Sequence, residues 1–386
     1  MGQSSGRGTD TGEPGERSGY RTETGESGER SGYRTETRES GDRSGRLTET
    51  SGEMETGGGM EMGRRTDTGG ERRQGPVHTA IADGEVRHPQ RQPSSPPAAL
   101  RDLLTRGRFF DVPGVYDGIT ALAAQQAGFD ALYLTGYGLH ATLGLPDMGL
   151  ATPGEFVDRI SIIRRCSDLP LFVDADSGFG TIGNLRRAVM DYERAGAAAM
   201  QIDDQESPRR CGHTDGKRVV PIAEMTQRIR VALDHRNRDG MLVIARTDAI
   251  APEGFDAALK RCDAYASAGA DILFVDAPEN ESQLAELGRH SDIPMMVNVV
   301  PGGRTPVLPA KVLAEMGFAF AIYPSIAWLA SAGAIKGAFA GLRRGEVSAA
   351  LSGSPLSASE GHALVGFPQM WAFEREYATS GEPEHE

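Results

Sequence analysis

The chain has 386 residues, a net charge of −13 and a sequence pI near 5.2. Such acidity argues against a nucleic-acid partner, which would require a basic face, and no apolar run reaches the roughly 18 residues that span a bilayer. Three scattered cysteines, Cys166, Cys211 and Cys262, cannot build a disulfide framework, and no apolar h-region follows Met1, so a cytoplasmic protein is expected.

Composition divides the chain near residue 97. Residues 1–97 hold only four Leu, Ile, Val or Phe residues (Leu47, Val77, Ile81 and Val86) among Gly, Ser, Thr, Glu and Arg. So little apolar surface cannot offset the entropy of ordering, and the segment reads as a disordered N-terminal extension. Within it Arg17–Thr24 recurs at Arg30–Thr37, thirteen residues on, and a degenerate copy begins at Arg43. That period matches no core-burying solenoid, and mixed Arg and Glu suit a linker or translated repetitive sequence better than a nucleic-acid arm. A partner-binding tail is the alternative. The rest divides into a barrel over 98–345 and a helical extension and tail over 346–386.

From residue 98 short apolar runs alternate with helix-period segments. Phe109–Val115 precedes a helix over 119–127, Ala131–Leu134 one over 153–166, Leu171–Val173 one over 184–195, and Ala198–Ile202 one over 222–234. Leu242–Ala245 then precedes 255–268, Ile272–Val275 precedes 281–289, Met295–Val297 precedes 309–316, and Phe318–Ile322 precedes 326–342. Eight strand–helix units in order require parallel strands, and an α/β fold closed as a (β/α)8 TIM barrel is the simplest arrangement. The rival, an open doubly wound sheet, would carry a glycine fingerprint after its first strand; Val115-Tyr116-Asp117-Gly118 is not one.

Active sites of such barrels lie at the C-terminal ends of the strands. Those ends are Tyr116-Asp117, Thr135-Gly136-Tyr137, Asp174-Ala175-Asp176, Asp203-Asp204-Gln205, Arg246-Thr247-Asp248, Asp276, Asn298 and Tyr323. On an extended chain Asp174 and Asp176 share a face, where two carboxylates repel unless a cation or a proton intervenes. Mg2+ suits such hard oxygen ligands; a solvated loop or a helix cap is the other reading. Cys211 lies between Arg210 and Gly212 with His213 beside it. Flanking cations favour the thiolate, so Cys211 is a candidate acid or nucleophile, or else an ordinary loop cysteine. Arg246 is either a bidentate carboxylate clamp or a structural ion pair. His140 reads as structural.

Val173-Asp174-Ala175-Asp176-Ser177-Gly178-Phe179-Gly180, Asp203-Asp204-Gln205 with Arg210-Cys211-Gly212-His213, and Ala245-Arg246-Thr247-Asp248 carry a resemblance. Together with Tyr133-Leu134-Thr135-Gly136 and Leu145-Pro146-Asp147, they resemble the isocitrate lyase/phosphoenolpyruvate mutase superfamily over about residues 98–345. The resemblance implies Mg2+, or alternatively Mn2+, near Asp174 and Asp176, with Asp203 reaching it directly or through water. It implies a small carboxylate substrate held by Thr135, Gly136, Tyr137, Cys211, Gly212, Arg246 and Asn298, with Asp276 at the same site and Asp147 on a loop beside it. It also implies a Cys211 loop that closes over the ligand and a homotetramer in which the last helix packs on a neighbour. The cysteine sides with the carbon–carbon lyases, of the short methylisocitrate or dimethylmalate type. The expected reaction is cleavage of a 2-hydroxy di- or tricarboxylate to a 2-oxo acid, with Cys211 as acid, Arg246 steadying charge, and Tyr116 or a carboxylate as base. The alternatives are decarboxylation of oxaloacetate or another 2-oxo acid, and phosphonate chemistry of the mutase type. Three positions depart from the lyases: Arg209 stands for their usual Lys, and Asp203 and Asp276 for their usual Glu.

Overall fold

The structure, a computed structural model, describes residues 95–212, 214, 216–350 and 356–378. The repeats read as a disordered extension lie outside the described residues, as does His213. The chain opens with α1 (Pro96–Thr105), β1 (Phe110–Val115), α2 (Gly118–Gln126), β2 (Leu132–Leu134), α3 (Gly136–Thr142) and α4 (Pro153–Cys166). It continues through β3 (Leu171–Asp174), α5 (Ile182–Ala195), β4 (Ala199–Asp203), α6 (Ile222–His235), β5 (Leu242–Thr247), α7 (Ile250–Glu253) and α8 (Phe255–Ser267). Then come β6 (Ile272–Val275), α9 (Glu281–Leu287), β7 (Met295–Asn298), α10 (Ala310–Met316), β8 (Phe320–Tyr323) and α11 (Ile326–Arg343). Three further helices follow: α12 (Val347–Ala350), α13 (Ala358–Leu364) and α14 (Phe367–Tyr377).

The eight strands pair in chain order, all parallel, and β8 closes on β1 through Phe110↔Phe320 to Pro113↔Tyr323. The expected (β/α)8 barrel is therefore the observed fold. Its strands are buried on both faces, which is why they read as continuous apolar runs rather than alternating ones. One face points into the barrel, where Phe110, Phe172 and Phe320 stack with Ile244, Ile272, Phe274 and Ile322. The other face packs under the helices through Val115, Leu134, Val173, Met200, Val243 and Leu273. Capping decides where helices begin: Thr152 and Thr181 each form a reciprocal capping box with the third helical residue. Gly196 and Gly317 end α5 and α10 at φ 97 and 105, a conformation that a side chain would oppose.

Composition did not announce α1. Its first turn, Pro96-Pro97, falls within the segment read as tail, and proline suits the first helical turn because its missing N–H has no partner there. Leu100 joins the barrel-interior cluster and is fully buried. Arg101 donates to the carbonyls of Asp239 (3.1 Å) and Gly240 (2.8 Å), just before β5. The helix thus closes the N-terminal end of the barrel. Among the described residues no helix is long and apolar enough to cross a membrane. We expect Leu100→Ala to cost about 2–5 kcal/mol, as for other large-to-small core changes, read from the urea midpoint. A loss well under about 1 kcal/mol would show that α1 is not part of the cooperative core.

Candidate active site

At the C-terminal end of the strands lies a cavity of about 270 Å³. Thr135, Tyr137, Asp147, Asp174, Cys211, Gly212, Arg246, Asp276 and Asn298 all line it. Asp176 and Asp203 stand just behind, joined to it by Arg209. The residues named from strand ends therefore converge on one mouth, with two exceptions. At the end of β1, the Tyr116 hydroxyl lies 2.9 Å from Ser331 Oγ, off the cavity, and Asp117 caps α2 by accepting from the Thr120 N–H. At the end of β8, the Tyr323 hydroxyl donates to Asp111 (2.8 Å).

The electrostatic centre is Arg209. Its Nε donates to Asp203 (2.9 Å) and its Nη1 to Asp147 (2.6 Å), while Nη1 lies 3.1 Å from Asp176 Oδ1 and Nη2 3.9 Å from Asp174 Oδ2. Burial alone would lower the guanidinium pKa, but Asp176, Asp147, Asp203 and Asp174 together hold it well above its ordinary value. Burial raises Asp174, and Asp176 further, against the pull of Arg209. Asp176 is not on an extended chain. β3 ends at Asp174, and Asp176 sits at φ 48, a left-handed conformation that asparagine and aspartate tolerate better than most residues. The two carboxylates meet through a turn, not through strand parity. Gly136 permits this: a Cβ there would lie 2.5 Å from Asp174 Oδ2.

Four buried carboxylates around one guanidinium leave an excess of negative charge, and neither oxygen of Asp176 accepts a hydrogen bond. Groups left in that condition call for a cation. Such hard oxygen donors suit a cation that takes one or two carboxylates and completes its shell with water and substrate oxygens. The donor set fits a divalent ion of that kind.

Across the cavity Arg246 is held by Asp248 (2.8 and 2.9 Å) and by Asp276 (2.9 Å), with its guanidinium over the Phe274 ring at 5.2 Å. It is both an ion-paired residue and a cavity-lining one. Asn298 Nδ2 donates to Asp276 (3.1 Å). Burial would raise Asp248, but Arg246 and Lys217 more than reverse this and hold it well below the usual carboxylate range. Beneath, Asp204 accepts from the Asp248 N–H (2.9 Å), Thr247 (2.7 Å), Tyr265 (2.7 Å) and Arg261 (3.2 Å). Burial and then the Asp248 charge push its pKa up to about 6. His140 donates from Nδ1 to the Gly136 carbonyl (2.7 Å) and accepts the Leu150 and Ala151 N–H groups at Nε2, so it braces the Asp147 loop.

Sequence reasoning passed over Gln201, Lys217 and the loop Val300–Gly303. Gln201 had a signal: it is a polar residue inside an apolar run, and it links the Tyr133 hydroxyl (3.2 Å) to Asp174 (3.3 Å). Lys217 and the 300–303 loop had none, because only the fold brings the loop to the cavity and Lys217 onto Asp248 behind it.

The family model for phosphoenolpyruvate phosphomutase matches residues 100–343. The chain is 37% identical to the 2,3-dimethylmalate lyase of Eubacterium barkeri over 73% of its own length and 98% of the relative's. It is 40% identical to the 2-methylisocitrate lyase of Bacillus subtilis (strain 168) over 62% of its length and 79% of the relative's. Among solved structures, a 2,3-dimethylmalate lyase described as a member of the PEP mutase/isocitrate lyase superfamily superposes with a TM-score of 0.69 at 31% identity, covering 76% of this chain and 99% of that one. A phosphonopyruvate hydrolase in complex with oxalate and Mg++ superposes with a TM-score of 0.66 at 30% identity, covering 74% and 99%. The chain belongs to the isocitrate lyase/phosphoenolpyruvate mutase superfamily.

Replacing Arg209 by Met would leave the carboxylates without their counter-charge. We expect about 3–5 kcal/mol of stability to be lost in chelator, and to be partly restored by Mg2+. Urea unfolding with and without the ion measures both. Equal stability of the two proteins in chelator would mean that the carboxylates are protonated rather than paired.

Proposed function

We propose that this chain is a divalent-metal-dependent carbon–carbon lyase that cleaves a 2-hydroxy di- or tricarboxylate of the methylisocitrate or dimethylmalate type. The observation that carries the reading is one cavity with an acidic, cation-seeking wall on one side, Arg246 on the other, and Cys211 over it. The relatives named as lyases support the carbon–carbon bond as the one broken.

In this reading Asp174 and Asp176 hold Mg2+, with Asp203 reaching it directly or through water, as supported by the Asp176 oxygens, which accept no hydrogen bond, and by the Mg++ of the phosphonopyruvate hydrolase complex. When bound, the ion supplies positive charge against the substrate's hydroxyl and adjacent carboxylate. Thr135, Gly136 and Tyr137 border that carboxylate, and Arg246 with Asn298 orients the second one. A cavity carboxylate outside the metal set, Asp147, takes the hydroxyl proton; Tyr116 is set aside because its phenol is engaged with Ser331 and its pKa is raised by burial. As the C–C bond breaks, its electron pair passes into the departing carboxylate as an enolate, and the hydroxyl-bearing carbon becomes the carbonyl of a 2-oxo acid. The thiol of Cys211 protonates the enolate carbon, and Arg246 steadies the developing charge. Asp276, one methylene shorter than the usual Glu, leaves more room beside Arg246 at the cavity wall, whereas Asp203, shortened in the same way, stands behind the cavity on Arg209.

A panel of 2-hydroxy di- and tricarboxylates, assayed with Mg2+ for released 2-oxo acid, tests the reading. Cleavage of at least one member is expected, with Cys211→Ser lowering kcat by roughly 10²–10⁴-fold while KM changes little. Oxaloacetate with CO2 as the sole product, and no cleavage of any hydroxy acid, would replace the lyase by a decarboxylase.

The same reading places the enzyme in the cytoplasm as a homotetramer. Support for the assembly is an apolar face without cover on α11–α14: Phe339, Val365, Met370, Trp371, Phe373 and Tyr377 are each at least 45% exposed, more than a soluble monomer usually shows together. Light scattering should give a tetramer for the full chain. Paired Trp371→Glu and Phe373→Glu changes should lower its mass at least twofold, the expected consequence of placing unpaired charge in an apolar interface. An unaltered tetramer would move the interface elsewhere.

A further inference from the structure

Lys217 has no place in the chemistry above, yet its side chain is 1% exposed. Its Nζ donates to Asp248 Oδ1 (2.9 Å) and to the carbonyl of Gly212, and lies 3.9 Å from Asp276 Oδ2. A lysine is rarely sealed off unless paired, and this one is paired to both the barrel and the cysteine loop. The loop residues beside Cys211 are held at three points. Gln205 brackets Arg210, donating to its carbonyl (2.9 Å) and accepting its N–H (2.8 Å). Gly212 is pressed so closely on the Arg246–Asp276 pair that a Cβ would fall 1.7 Å from Asp276 Oδ2. Lys217 then ties the Gly212 carbonyl to Asp248, the carboxylate that also grips Arg246.

We infer that Lys217 is a positioning residue: its ammonium latches the Cys211–Gly212 segment to the end of β5, and so couples placement of the thiol to the carboxylate-binding Arg246. Two cations, Arg246 and Lys217, face two carboxylates, Asp248 and Asp276. Without Lys217 the carboxylates would outnumber the cations. Arg246 would be drawn more fully into the internal pairs, and an incoming carboxylate would meet uncompensated negative charge. The latch therefore has two consequences, one for the thiol and one for anion binding. A lysine that served stability alone would have neither. The functional meaning rests on Cys211 acting over the cavity, but the latch can be read without any substrate.

The test uses the full chain with Mg2+, and oxalate as the probe anion. Iodoacetamide labelling of Cys211 is followed by peptide mass, with half-buried Cys166 and buried Cys262 as internal references. In the wild type, oxalate is expected to slow labelling of Cys211. In Lys217→Met, Cys211 should label roughly tenfold faster, the size of one lost charge-assisted hydrogen bond, and oxalate should no longer protect it, while Cys166 is unchanged. Oxalate affinity, read by calorimetry, should fall by a similar factor. Lys217→Arg keeps the charge but not the compact donor, so it should restore oxalate affinity more than it restores protection of Cys211. If whichever of these variants folds labels at Cys211 within about twofold of wild type and keeps oxalate protection, no latch exists. Failure of the hydroxy-acid panel with these labelling results intact would overturn the lyase reading and leave the latch standing.

Discussion

Neutralisation of buried negative charge is the constraint on which the mouth of this barrel depends. Asp147, Asp174, Asp176 and Asp203 come from three segments of the chain and would repel one another at the distances the fold imposes. Arg209 sits among all four. The same problem recurs on the opposite wall, where Asp248 and Asp276 are balanced by Arg246 and Lys217. Both solutions draw a cation from the segment that follows β4, with Arg209 before Cys211 and Lys217 after it. Charge balance and the position of the cysteine are thus one structural fact. Removing Lys217 would change not only a local field but also the hold on Gly212 beside the thiol.

The barrel itself is conventional in how it is built. Strands buried on both faces form the inner wall, α1 closes the bottom, and capped helices return the chain each time to the same edge. What this supplies to the site is rigidity in a second layer. Asp204 gathers Thr247, Arg261, Tyr265 and the Asp248 backbone into one network, so Asp248 is fixed before it meets Lys217 and Arg246. His140 does the same for the loop that carries Asp147. Buried polar networks of this kind are costly when incomplete and stiff when satisfied, which suits groups that must hold a small anion in one pose.

Most of the fold and much of the site were legible in the residues alone. Eight apolar runs fell within two residues of the observed strands, because a strand covered on both faces must be apolar throughout. Thr135, Asp174, Arg246, Asp276 and Asn298 were picked out because barrel chemistry collects at strand ends, and Cys211 because cations flank it. The same rule overreached at β1 and β8, where Asp117 and Tyr323 serve local hydrogen bonds. Composition, in turn, missed α1, since two prolines at the edge of a polar tail look like linker until Leu100 is seen in the core. The parity argument for Asp174 and Asp176 reached the right neighbours by the wrong route, because the chain leaves the strand between them.

By itself the sequence determined the alternation of strands and helices, the polar strand ends and the cationic cysteine segment, because each is a local pattern of apolar period, cap and charge. Tertiary structure alone decided that Arg209 would neutralise four carboxylates, that Lys217 would bridge Gly212 to Asp248, and that the Tyr116 hydroxyl would meet Ser331. Those outcomes turn on distances of a few ångströms between groups separated by up to 215 residues in the chain. Electrostatic and hydrogen-bond energies fall steeply over such distances, and no spacing along a sequence encodes them.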